Sequence, residues 1–183
     1  GDRRSCYPLT VAAHHSRFLL ATRGLTTTAC EPAIEVFTDV FRMYGLPDAI
    51  LTDNGIPFAA SHARLGLSRL SVWWMRLNIL PVRIDPGCPQ QNGRHERMHR
   101  TLKAQTTRPP GHDLADQQQR FDRFRTEYNH ERPHAALDQQ PPAQFYQPSP
   151  RVMPKQLGVP DYPGHYEVRH VRPNGCIRFK GEE

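Results

Sequence analysis

Gly87-Cys88-Pro89-Gln90-Gln91-Asn92-Gly93-Arg94-His95-Glu96-Arg97-Met98-His99-Arg100-Thr101-Leu102-Lys103 opens with the turn formers Pro89 and Gly93. It then carries no helix breaker until Pro109. Read at a helical period, Glu96, His99, Arg100 and Lys103 fall at i, i+3, i+4 and i+7 and share one face. Met98 and Leu102, four residues apart, define a second face that can pack inward. One carboxylate thus stands among cations on the first turns of a helix entered through a Gly/Asn/Gln loop. Such an arrangement suits a carboxylate that holds a metal while its neighbours hold phosphates. It also suits a solvated amphipathic helix with an i,i+4 Glu-Arg pair, and these residues alone leave both readings open.

Working outward, the 183-residue chain has room for one domain with something small attached. Lys+Arg 24 against Asp+Glu 18 gives a formal charge of +6, with ten histidines besides and a pI near 9.5. That surplus points to an anionic partner, nucleic acid before membrane. No apolar run approaches the ~18 residues of a spanning helix, and no signal-peptide pattern opens the chain, so a cytoplasmic protein is expected. Cys6, Cys30, Cys88 and Cys176 lie far apart without a C-x-x-C pair, which fits neither a disulfide framework nor a zinc site.

In chain order, Ser5–Val11 and Arg17–Thr22 read as the strands of a hairpin. Ala29, Ala33, Val36, Phe37, Val40, Phe41 and Tyr44 recur at threes and fours before Gly45-Leu46-Pro47, which predicts a long helix with a glycine stop. Asp48–Thr52 reads as a short strand, Leu65–Leu77 as a second helix with Leu67, Leu70, Trp74 and Leu77 on its packed face, and Pro81–Ile84 as a further strand. The succession is an α/β alternation behind a hairpin.

Asp53 falls at the carboxyl end of the Asp48–Thr52 strand, where open α/β sheets place their ligand sites. Asn54-Gly55 turns the chain there, and an aspartate capping its own turn is the structural alternative. The 42 residues between Asp53 and Glu96 hold a helix and a strand, so only tertiary folding can join the two carboxylates. A pair of carboxylates without a His/Cys cluster suits a hard ion, Mg2+ or Mn2+. His14-His15 is set aside as a metal pair, because adjacent residues on a strand point to opposite faces.

Leu51-Thr52-Asp53-Asn54-Gly55, then Pro89…Gly93-x-x-Glu96-Arg97-x-His99-Arg100-Thr101-Leu102-Lys103, resembles the integrase-core transposases of bacterial insertion sequences, relatives of retroviral integrases. Phe124-Arg125-x-x-Tyr128-Asn129-x-x-Arg132-Pro133-His134-x-Ala136-Leu137, followed by Pro141-Pro142, agrees with it. So does Tyr162–Gly181, which looks like the start of the small β domain that often follows. Asn174-Gly175 is a hairpin signal in its own right.

The resemblance implies a ribonuclease-H-like mixed sheet with flanking helices and an Asp-Asp-Glu triad. Asp53 is then the second triad carboxylate and Glu96 the third, both holding metal, in a two-metal Mg2+ or Mn2+ site that cleaves and joins phosphodiesters. Arg100 and Lys103, with Arg97 and His99 beside them, would contact DNA backbone. The first triad aspartate belongs to a central strand upstream of the family's glycine-rich turn, which here matches Gly1-Asp2-Arg3-Arg4. Asp2 has no apolar strand before it and does not take that role. The expectation is an incomplete catalytic core, inactive alone, whose intact form is a DNA-bound homo-multimer. Ala13 and His14 also replace an acidic pair often found before His-Ser-Arg in relatives.

Three segments are expected: a catalytic core over 1–137, a Pro-rich linker over 138–161 and a partial β-hairpin domain over 162–183. A non-catalytic DNA-binding remnant and a basic interaction module are the alternatives. Salt-dependent DNA binding without strand joining marks the first of these, and no DNA binding at all marks the second.

Overall fold

The computed structural model describes residues 5–59, 66–85, 87–159, 162–167 and 169. β1 (Tyr7–Ala12) and β2 (Leu19–Leu25) form an antiparallel hairpin, followed by α1 (Cys30–Tyr44) and β3 (Ala49–Thr52). Next come α2 (Arg69–Arg76), β4 (Leu80–Arg83), α3 (Gly93–Thr106) and α4 (Leu114–His130). β3 and β4 pair in parallel, Ala49 opposite Leu80 and Thr52 opposite Arg83. Among the described residues the strands form two separate two-stranded ladders, β1-β2 and β3-β4.

Each element follows from local chemistry. α1 buries Ala33, Val36, Phe37, Val40 and Phe41, a five-residue stripe at helical spacing. Gly45 ends it with φ 79°, a left-handed conformation that glycine adopts without strain, and donates its N–H to the Phe41 carbonyl. α2 begins later than its apolar spacing suggests, because the Ser68 hydroxyl accepts from the Ser71 N–H and caps the helix there. Leu65, where that helix was expected to start, is outside the described residues, as are Gly1–Arg4 and the Asn174–Gly175 hairpin. β2 runs to Leu25 because Tyr7 pairs with it.

Two apolar clusters hold these pieces. One joins α1 to Leu70, Trp74, Leu77 and Ile79, with Trp74 edge-on to Phe37 at 4.9 Å between ring centres. The other seats Leu19 of β2 among Met98 and Leu102 of α3 and Phe121, Phe124 and Tyr128 of α4. Met98 and Leu102 thus form the inward face that their spacing predicts.

α4 also serves β2 with polar atoms. Gln118 accepts from the Gly24 N–H and donates to the Thr22 carbonyl, both at 2.9 Å. Arg125 donates to the Leu20 carbonyl, and Asn129 pairs with both backbone groups of Leu19. Side chains of a helix here do what a further strand would do, closing an open edge.

Beyond α4 the chain turns around His134, whose carbonyl accepts from the Leu137 and Gln139 N–H groups. The proline-rich stretch after it lies along the core. Tyr146 stacks on Phe18 at 4.4 Å, and Arg151 donates to the carbonyls of Pro47, Leu77 and Asn78. No helix among the described residues is long and apolar enough to cross a membrane.

Candidate nucleic-acid and metal site

Asp53 sits one residue beyond β3, exposed, with its Oδ1 accepting from the Gly55 N–H at 2.9 Å. That is the turn-capping geometry its Asn-Gly sequence allows, and it leaves the second carboxylate oxygen outward. Asn54 ties the turn to the end of β4 by donating to the carbonyl of Ile84, the residue after that strand.

α3 crosses near this turn. The Thr10 hydroxyl of β1 lies 2.9 Å from His95 Nε2 and 2.6 Å from His99 Nε2. A hydroxyl has one proton, so it donates to one ring and accepts from the other. One histidine must therefore carry its proton on Nε2 and the other must leave Nε2 bare. Burial holds both rings neutral: it pushes His95 down to about 4, with the neighbouring His99 adding to the shift and the Asp53 charge opposing it. His99 is lowered by burial as well, again against the pull of Asp53. The charge of Asp53 thus reaches both rings on α3, which places the turn and the helix beside one another.

Glu96 follows His95 on the first turn of α3 and is exposed. Helical geometry sets it roughly 60° around the axis from His99. Among the described residues its carboxylate makes no hydrogen bond or ion pair, and neither do the side chains of Arg100 and Lys103 on the same face. His99 is half-buried, with its Nε2 held by Thr10. Arg97 is exposed and faces a cation cluster that the sequence did not suggest. Burial, then the charges of Arg94 and Arg97, lowers the Arg17 guanidinium. Arg94 in turn donates to His14 Nε2 at 3.2 Å.

Thr10, His95 and Arg17 were missed by sequence reasoning. The His95–His99 spacing of four was visible, but its partner Thr10 lies 85 and 89 residues away. Chemically, the site offers two exposed oxygen donors beside a row of unneutralised cations. Hard divalent ions take such carboxylates, and the cations suit phosphate. No group of three or more His, Cys, Asp or Glu side chains among the described residues is placed to hold a metal.

The family model for the integrase core domain matches residues 77–142. That span opens at the end of α2, takes in Glu96 and all of α3 and α4, and closes at Pro142. Asp53 lies outside it.

A chain in the cryo-electron-microscopy structure of the simian T-cell lymphotropic virus intasome, in complex with PP2A regulatory subunit B56 gamma, shares the fold at a TM-score of 0.62 and 16% identity. The match covers 94% of this chain and 62% of that one, so this chain spans under two thirds of its length. The architecture is the ribonuclease-H-like α/β fold of integrase cores.

Proposed function

We propose that the chain is the catalytic-core portion of an integrase-type transposase of a bacterial insertion sequence, acting on DNA phosphodiesters with Mg2+ or Mn2+. The observation that carries this reading is that Asp53, just beyond β3, and His95, next to Glu96 on α3, line one cavity. The integrase core match over 77–142 supports it from the side of Glu96.

The donors present are hard oxygens free of ion pairs, so they fit a hard cation in kind. Asp53 and Glu96 would hold it, and when bound it supplies Lewis-acid polarisation of phosphate oxygens. The chain's own part is to set those carboxylates on a sheet end and a helix start. Thr10, holding His95 and His99, fixes the rotation of α3, and Arg97, Arg100 and Lys103 present charge to the backbone of DNA. The intact enzyme works as a DNA-bound multimer.

The test is to supply a third carboxylate on an N-terminal apolar strand and to assay joining of DNA ends. Joined product that appears with Mn2+ and disappears with chelator supports the proposal; product indifferent to chelator overturns it. A second reading, DNA binding without chemistry, is favoured by the exposed cations Arg100 and Lys103 of α3, which have no ion pair among the described residues. It predicts salt-dependent binding and no joined product from the completed chain.

A further inference from the structure

The proline-rich segment 141–158 is fastened to the core by recognition contacts, with almost no core of its own. Pro142 is fully buried, but from 143 to 159 no residue is. Tyr146 stacks on Phe18 and meets Tyr44 edge-on at 5.7 Å. The Ser149 N–H donates to the Tyr44 carbonyl at 2.8 Å, and the Leu46 N–H donates to the Arg151 carbonyl at 2.7 Å. Gly45 lies between these two bonds, and a Cβ there would stand 2.3 Å from the Ser149 carbonyl oxygen. This glycine therefore admits the segment as well as ending α1.

Arg151 is the anchor. Its guanidinium donates to the carbonyls of Pro47, Leu77 and Asn78 and to the Asp48 carboxylate. Those acceptors converge from two loops, one after α1 and one after α2, and match the planar fork of an arginine. Met153 and Leu157 rest on the apolar cluster of α1 and α2, and Arg76 donates to the Gly158 carbonyl. The core thus carries a groove, and the segment is an arm complementary to it.

The join between α4 and this arm is strained. Asp138 and Gln139 hold φ of 50° and 60°, two adjacent left-handed residues that both carry a Cβ. Aspartate visits that region singly; a consecutive pair that includes glutamine is costly. The turn is kept by the N–H groups of Gln139 and Gln140, which donate to the His134 and Leu137 carbonyls. Opening it hands those bonds to water and releases the strain. Beyond the turn, Pro148, Pro150 and Pro154 favour extended chain. From 145 to 158 such a chain reaches on the order of 40 Å, against a radius of gyration of about 15 Å for a domain of this size.

We propose that 141–158 is an exchange arm, which leaves its own core and docks in the same groove of a second copy of this chain. Each copy gives one arm and receives one, so the pair closes on itself. The occupant is a second copy because the groove fits this arm's own sequence and every copy carries both parts. All contacts of the docked arm are kept in the exchanged pair; only the turn at 138–139 differs. Hinge strain and protein concentration then set the balance between closed chain and exchanged pair. The inference goes beyond the DNA-joining reading and does not depend on whether Asp53 and Glu96 hold a metal.

The experiment mixes equal amounts of two full chains, one grown in heavy-nitrogen medium and the other carrying Tyr146→p-benzoylphenylalanine. They are refolded together over a range of concentrations, irradiated and read by mass spectrometry. At low concentration the probe should crosslink the Phe18 peptide of its own light chain. At high concentration about half of the crosslinks should pass to the heavy chain's Phe18 peptide, the statistical share for exchanged pairs. Asp138→Gly with Gln139→Gly removes the strain and should lower that heavy share several-fold at equal concentration. Crosslinks confined to the light chain at every concentration overturn the proposal, as do heavy-chain crosslinks that fall outside the groove. An unchanged heavy share in the double glycine variant overturns it as well, because the hinge then drives nothing. A probe that reaches Phe18 in neither chain contradicts the docked arm itself.

Discussion

Thr10 couples the hairpin to the start of α3 through two bonds, and the one that its hydroxyl donates requires a neutral imidazole. In the unfolded chain His95 has an ordinary pKa near 6.5, and in the fold burial lowers it to about 4. The unfolded state therefore binds protons first as pH falls. Stability is full above pH 6.5, declines between 6.5 and about 4, and flattens below, at up to about 1.4 kcal/mol per pH unit. Denaturation followed across this range should show a flattened acid limb in His95→Gln; an unaltered slope would contradict the placement of His95. Asn129 acts at the same scale. It is 3% exposed and pairs with both the N–H and the carbonyl of Leu19. Asn129→Leu leaves two buried backbone groups unpaired and should cost roughly 2–5 kcal/mol in denaturant unfolding. Neither role was legible in the sequence. A threonine on a strand and an asparagine on a polar helix face look like solvated positions until contacts across 85 and 110 residues are known.

Elements were more legible, because their signals are local. The α1 stripe from Ala33 to Phe41, the glycine stop at Gly45, and Met98 with Leu102 on α3 are stated by spacing alone, and each buries the expected face. The short strands were harder to bound: β2 runs to Leu25 since its partner, not its composition, sets its length. Packing gives α1 and α2 their stability. Trp74 is 1% exposed against Phe37, so Trp74→Ala should lose about 3–5 kcal/mol, read as a lower denaturation midpoint. On the outer face of α3, Arg100 and Lys103 have no protein partner among the described residues. If they meet phosphates, the Arg100→Ala, Lys103→Ala double variant should reduce the slope of log K against log salt by about 2 while leaving stability nearly unchanged. An identical slope would remove both residues from the interface.

At the scale of the molecule, an α/β alternation was legible from the order of strands and helices, and the ribonuclease-H-like layout from the family resemblance of two motifs, Leu51–Gly55 and Gly93–Lys103. The separation of the sheet into two ladders around a cavity was not, since no single stretch records which strand edges meet. The same holds for the edge cover supplied by α4. These features bear on the proposed site, in which Asp53 follows β3 and Glu96 stands on α3. Their role in one metal-dependent site is the centre of the account. It is tested most directly by a DNA strand-joining assay on the chain extended by an apolar strand bearing one aspartate, comparing Glu96 with Glu96→Gln. The account predicts metal-dependent joining that falls by at least about a thousandfold in Glu96→Gln, with the fold intact by circular dichroism. Joining that persists unchanged in Glu96→Gln would contradict it.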